Sequence, residues 1–240
     1  MGGVIGTYSY TDFQEYPTGS SLVPGRTIAD NFNRKEINAA GAIQGYDVQF
    51  LGTGQISTVS NAYLLVRSDI NNTNFAGLSA LNNTVNVNPN FAESEIDGLV
   101  WKTKFRLTAF EGCKAWQLLD ILEGVVFAIN EGSPQLGIGY DPEISPNYII
   151  RVSGIDTEEN FDTGIPPLQD QEINCEITWN QDGTVSVFFE NLTTEQTIEH
   201  TFGVQLLIPD VNALTWKAFT QSSDTTPAVL NIYNWSVLGL

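Results

Sequence analysis

The sequence has few basic residues: 10 Lys and Arg stand against 28 Asp and Glu, for a net charge of −18. A negative charge of this size opposes binding to nucleic acid and to anionic membrane surfaces, so we expect neither as a partner. The acidic residues are scattered and form no long runs, which is typical of a solvated surface. Charge therefore excludes two classes of partner and names no ligand.

Long apolar runs, cysteines and histidines are scarce as well. No run is long enough to span a bilayer, and the first residues, MGGVIGTYSYTDF, lack the basic and apolar regions of a secretory signal. The two cysteines, Cys113 and Cys175, are too few for a disulfide framework, and the sequence leaves their pairing open. One histidine, His200, and the lack of a Gly-x-Ser-x-Gly motif argue against a serine hydrolase.

Helical periodicity is almost absent, and short β-rich segments recur between clusters of Gly, Pro, Asn and Asp. This pattern predicts an all-β antiparallel sandwich. The strongest turn signal is the Asp-Gly pair within NQDGTV, residues 180–185. One helical turn is predicted over 113–124, where Trp116, Leu119 and Leu122 follow helical spacing. The predicted strands are 63–68, 99–110, 124–130, 136–140, 147–155, 174–179, 184–191, 197–206, 214–222 and 230–240.

Residues 1–60 differ from the rest because they are rich in Gly, Ser, Thr and Asn. We interpret them as an N-terminal arm or irregular extension, ordered by a partner chain, that leads into one domain at 61–240. The alternative is that they are ordinary strands of that same domain.

The order of segments from about residue 95 onward resembles the legume-lectin, or concanavalin-like, jelly roll. The segments that carry the resemblance are EGVVFAINEGSPQLGIGYD at 123–141, IIRVSGIDT at 149–157 and ALTWKAFTQSSDTTPAVLNIYNWSV at 213–237. Weaker similarities lie upstream, in AYLLVRS and AGLSALNNTV. The resemblance implies a two-sheet antiparallel concanavalin-like jelly-roll sandwich with an N-terminal extension.

The resemblance also implies a place for sugar. Glu123 stands where the family usually has the Asp that accepts hydrogen bonds from sugar hydroxyls, and it is one methylene longer. The alternative is a solvated carboxylate at the end of a strand. Trp116 and Tyr140 lie near predicted turns and are the candidates for a ring that stacks on a sugar.

A calcium site is the one cofactor that the resemblance suggests. Asp156 and Asn160 match the family's calcium-binding Asp and Asn, and Asp162 is a further oxygen donor nearby. Gly154 stands where the family has the Glu that binds a transition metal, so the two-metal arrangement is not expected.

Three functions remain open at this level. The first is a non-enzymatic virion structural protein of a phage, as a capsid decoration or fibre component, associating with other virion subunits or with itself. The second is a glycan-binding lectin module, with an extracellular location. The third is a glycoside hydrolase, which needs two facing carboxylates. The nearest match to a Glu-x-Asp-x-x-Glu motif, residues 95–100, ends in Val100, so we expect no enzyme.

Overall fold

The computed structural model describes residues 27–30, 46–59, 63–71, 74–80, 97–120, 134–154, 157–208 and 215–240. These residues form two antiparallel sheets and contain no helix. Accordingly, nothing within them is a helix long and apolar enough to cross a membrane. The predicted all-β, two-sheet architecture is confirmed.

The first sheet has eight strands and the second has seven, and all neighbouring strands within each sheet are antiparallel. The eight-stranded sheet contains, in spatial order, β13 (Gln196–Thr201), β12 (Val185–Asn191), β11 (Glu172–Asn180), β6 (Gly98–Ala109), β15 (Ala228–Gly239), β4 (Tyr63–Ser68) and β3 (Gly54–Val59), with β1 (Thr27–Asp30) paired to β15. The seven-stranded sheet contains, in spatial order, β10 (Glu158–Asp162), β9 (Tyr148–Ser153), β8 (Gln135–Tyr140), β7 (Lys114–Asp120), β14 (Thr215–Gln221), β5 (Phe75–Ala80) and β2 (Tyr46–Leu51).

The main core lies between the two sheets. Strands of both sheets send alternate apolar side chains into it, as the period of two requires. Trp216 of β14 and Trp235 of β15 stack across the interface, with ring centroids 5.1 Å apart and planes 8° from parallel. Trp101 and Trp179 are buried in the same core. These four tryptophans therefore fill much of the space between the sheets, and together they remove several hundred Å² of apolar surface from water.

The predicted turn at Asp182 and Gly183 is confirmed as the connection between β11 and β12. Gly183 has a φ of 86°, a left-handed conformation that glycine adopts without strain. Its N–H donates to the carbonyl of Asn180 at 2.8 Å. Asp182 Oδ1 accepts hydrogen bonds from the N–H and hydroxyl of Thr184 at 2.9 and 2.7 Å, which fixes the loop.

The helical turn predicted over 113–124 is wrong where the structure describes it, because residues Lys114–Asp120 form strand β7. Ala115 and Leu119 lie in the main core, whereas Trp116 and Leu118 pack on the opposite face of the sheet. Since both faces are buried, the polar and apolar alternation that marks a strand is lost from the sequence. The apolar sequence of β7 therefore cannot be distinguished by periodicity from that of a buried helix.

Three strands fall within residues 1–60. β1 pairs with the second half of β15, β2 with β5 and β3 with β4, so these segments add to the two sheets of the same chain. These described segments are strands of the sheets, and the division between residues 1–60 and 61–240 stays a prediction. Residues 1–26 and 31–45 lie outside the described residues, and an arm there stays a prediction, as does the strand predicted over 124–130.

Candidate functional site

The outer face of the seven-stranded sheet, which points away from the other sheet, carries a line of polar residues along one end of the strands. These residues are direct cross-strand neighbours, and we call them the polar row: Glu158, Ser153, Gln135, Asp120 and Thr215. Their sequence neighbours Leu136 and Val152 lie in the main core, so the row faces outward. Ser153, Gln135, Asp120 and Thr215 are each at most 2% exposed, while Glu158 is the exposed end.

Two charged residues lie one step along the strands from the polar row, on the same face. Arg151 and Lys217 belong to the next cross-strand line, which also contains Asn160, Gly137 and Leu118. Lys217 and Asp120 form an ion pair at 2.9 Å with both side chains fully buried. In such a pair each charge depends on the other, because an isolated ion at that position would lack solvation.

Arg151 forms the second ion pair of this face. Its Nη1 lies 2.7 Å from Oε1 of Glu158 and donates to Oδ1 of Asn160 at 3.5 Å. The Arg151 side chain is only 4% exposed, whereas that of Glu158 is 33% exposed. The pair therefore links the buried line beside the polar row to the open end of the row.

Six buried polar atoms on four of these residues have no hydrogen-bond partner among the described residues. They are Nε2 and Oε1 of Gln135, Oγ of Ser153, Oγ1 of Thr215, and Nε and Nη2 of Arg151. An unsatisfied buried donor or acceptor costs about 1–3 kcal/mol, so folded proteins contain few of them. Unpartnered atoms also occur on the inner face, as at Gln117 Nε2, but there they are scattered among apolar side chains. The outer face instead concentrates unused hydrogen-bonding capacity in one place.

Several chain connections meet the sheet at the polar row. β7 ends there at Asp120, β9 ends at Ser153, and β8 and β14 begin at Gln135 and Thr215. Since β7 and β9 are both antiparallel to β8, the segments that follow them leave the sheet at the same end. Clustered connections of this kind are where binding residues are commonly found on a rigid scaffold.

The fold that surrounds this site is shared with lectins of solved structure. No protein-family model and no curated protein matches the sequence. Peanut lectin with a nine-residue peptide is 12% identical, with a TM-score of 0.57 over 88% of this chain and 97% of that one. Winged bean acidic lectin complexed with methyl-alpha-D-galactose is 12% identical, with a TM-score of 0.54 over 88% of this chain and 98% of that one. Arcelin-5, a lectin-like defense protein from Phaseolus vulgaris, is 10% identical, with a TM-score of 0.56 over 88% and 97%.

The chain has the legume-lectin fold. At this identity the likeness establishes the concanavalin-like jelly roll and leaves the chemistry of the site to its own residues.

Glu123 and Asp156, two of the residues that the lectin resemblance singled out, lie outside the described residues. Each follows the polar row by three positions, Glu123 after Asp120 and Asp156 after Ser153. Their predicted contacts to sugar and calcium stay predictions.

Trp116 and Tyr140 lie on opposite faces of the seven-stranded sheet. Trp116, the third residue of β7, is fully buried on the outer face beside Phe219 and Ile149. Tyr140 points into the main core, where its ring meets Phe110 edge-on at 5.8 Å. Burial raises the pKa of the Tyr140 hydroxyl. Neither ring offers an open face, so this placement does not support stacking on a sugar.

Asn160 and Asp162 lie on β10, at the exposed edge of the outer face. Asp162 accepts hydrogen bonds from Ser145 at 2.5 Å, the Gly164 N–H at 2.7 Å and Asn147 at 2.8 Å. Partial burial opposes ionisation of Asp162, but these three donors outweigh it and lower its pKa. The Asp162 carboxylate therefore links Ser145 and Asn147 to the backbone of Gly164. Within the part of the chain that the structure describes, no three Asp, Glu, His or Cys side chains are grouped to hold a metal ion.

Sequence reasoning missed Arg151, Lys217, Asp120, Gln135 and Ser153. The sequence does contain a signal for the three charged residues, because Arg151, Lys217 and Asp120 each stand in a largely apolar strand: YIIRVS, LTWKAF and WQLLD. A charge within a doubly buried strand must be paired or functional. No such signal marks Gln135 or Ser153, which stand at strand ends where polar residues are common.

Proposed function

We propose that the chain is a glycan-binding module that takes sugar at the polar row. The observation that carries the proposal is the group of six unpartnered buried atoms on Gln135, Ser153, Thr215 and Arg151. Sugar hydroxyls both donate and accept hydrogen bonds, which suits a group that combines an amide, two hydroxyls and guanidinium N–H donors. A bound sugar would recover the hydrogen-bonding energy that these atoms lack.

The charges of the site favour binding over hydrolysis. Glycoside cleavage needs one carboxylic acid that donates a proton and one carboxylate that attacks or activates water. The carboxylates of the polar row, Asp120 and Glu158, are instead held in ion pairs with Lys217 and Arg151. Each carboxylate therefore already has a cationic partner, and neither is placed as the separate proton donor that cleavage needs. The likeness to lectins is consistent with a non-enzymatic role.

The test uses a pair of matched glutamines. Gln135 and Gln117 lie on adjacent strands, both about 1% exposed, but Gln135 faces outward and Gln117 faces the main core. The purified chain is applied to a glycan array as wild type, Gln135→Met and Gln117→Met. We expect binding of at least one glycan by the wild type, a loss of about tenfold or more in Gln135→Met and wild-type binding in Gln117→Met. Binding that Gln135→Met leaves unchanged, or an array with no bound glycan, would contradict the proposal.

The role of a virion structural protein, with association to other virion subunits or to itself, stays a prediction from the sequence. A virion location is compatible with glycan binding, because a surface domain of a particle can contact host glycans. The mass of the purified chain in solution, measured by light scattering, separates a monomer from an assembly.

A further inference from the structure

Arg151 uses only one part of its guanidinium group. Nη1 contacts Oε1 of Glu158 and Oδ1 of Asn160. Nε and Nη2 are buried and have no hydrogen-bond partner within the part of the chain that the structure describes. Arginine keeps its positive charge at all ordinary pH values, so these N–H groups cannot be neutralised by losing a proton. The structure therefore leaves two charged donors buried and unused.

The two unused nitrogens form one edge of the planar group. The Nε–H bond and one Nη2–H bond point side by side in the same direction, away from the contacts of Nη1. Two parallel N–H donors match the two oxygens of a carboxylate, and paired hydrogen bonds of this type are among the strongest in proteins. A single hydroxyl would occupy only one of the two donors.

The neighbours of this edge suit a sugar acid. Ser153 lies two residues along the same strand on the same face, and Gln135 is directly opposite Ser153 on β8. Both side chains have unpartnered polar atoms that could meet sugar hydroxyls. Gly137 is opposite Arg151 on β8, and the side chains of Leu118 and Trp116 pack over it. The nearby positive charge of Lys217 is balanced by Asp120, and Glu158 lies at the more exposed end of the row.

Resting on the proposed glycan-binding function, we infer that the site takes a sugar that bears a carboxylate, such as a uronic acid, with the carboxylate on Nε and Nη2 of Arg151. The polar row then binds the hydroxyls of the same sugar. The free edge of Arg151 would thus decide between acidic and neutral sugars of the same configuration.

The test compares matched sugars on the wild-type full chain by calorimetric titration. The pairs are glucose and glucuronate, galactose and galacturonate, and mannose and mannuronate, with glucuronamide and glucose 6-sulfate as further probes. We expect the acid of at least one pair to bind about tenfold or more tightly than its neutral partner, because the paired hydrogen bonds involve two charged groups. Glucuronamide should bind like glucose. Glucose 6-sulfate that binds as tightly as the best acid would overturn the assignment to a carboxylate.

Two variants assign the preference to Arg151. Arg151→Lys keeps the charge but removes the two-donor edge, so the preference for the acid should fall to within about threefold of the neutral sugar. Arg67→Lys, at a 44% exposed site on the other sheet, is the control and should keep the preference. If Arg151→Lys does not fold, the wild-type comparison with glucuronamide still decides. Neutral and acidic sugars that bind equally would overturn this inference and leave the proposed function standing, whereas no binding by any sugar would overturn both.

Discussion

The two faces of the seven-stranded sheet are both buried, yet they differ in chemistry. The inner face supplies Leu136, Ile138, Ile150 and Val152 to the main core, and its polar Gln117 accepts a hydrogen bond from Thr103 at 2.7 Å. The outer face combines an apolar patch around Trp116 with two ion pairs and the polar row. Burial alone therefore does not identify the core of this protein.

The difference between the faces lies in how their unpartnered polar atoms are arranged, because those of the inner face, such as Gln117 Nε2, are scattered among apolar side chains. A buried polar network stabilises a fold only when its members are satisfied. Among the described residues, the outer face departs from that condition at three members of the polar row and at Arg151 in the next line, and departures of this kind are expected where a protein binds something. The inner face serves stability, and we assign the outer face to recognition.

The largest effect should follow from breaking the ion pair between Lys217 and Asp120. Lys217→Met leaves a fully buried carboxylate without its cation, and we expect a loss of about 3–5 kcal/mol in the free energy of unfolding. The double variant Lys217→Met/Asp120→Leu removes both charges and should regain most of that loss. Urea denaturation of the wild type, Lys217→Met and the double variant measures these changes in the free energy of unfolding. A loss below about 1 kcal/mol in Lys217→Met would show that the pair contributes little.

A substitution on the inner face should lower the free energy of unfolding and leave glycan affinity unchanged. Leu136, next to Gln135 in the chain, is fully buried in the main core. Leu136→Ala should cost about 2–5 kcal/mol because it leaves a cavity. The folded variant should keep the glycan affinity of the wild type, in contrast with Gln135→Met. Urea denaturation and the array used for Gln135 provide both measurements, and a parallel loss of affinity in Leu136→Ala would remove the distinction between the faces.

The same contrast explains what the sequence could and could not predict. Strands of the eight-stranded sheet were predictable because their burial alternates clearly, as in β11, where every second residue is buried. The turn at Asp182 and Gly183 was predictable from its Asp-Gly pair. β7 was missed because it is buried on both faces. Glu123 and Asp156 lie outside the described residues, and their roles stay predictions. The polar row itself could not be predicted, since its members are far apart in sequence and meet only through strand pairing.

The smallest effect concerns the exposed end of the outer face, where Asp162 contrasts with the buried Asp120. Hydrogen bonds from Ser145, Gly164 and Asn147 lower the pKa of Asp162, so its ionised form is favoured in the folded state. Its contribution to stability should be complete above the usual aspartate pKa of about 3.9 and should disappear as the pH falls below that value. Because the side chain is largely exposed, we expect Asp162→Asn to lower the free energy of unfolding by less than about 1 kcal/mol at pH 7. Urea denaturation at pH 7 and at pH 3 should show the wild type and the variant converging at the lower pH. A difference that is constant between the two pH values would assign the effect of Asp162→Asn to packing or to the new amide instead of to the ionised carboxylate.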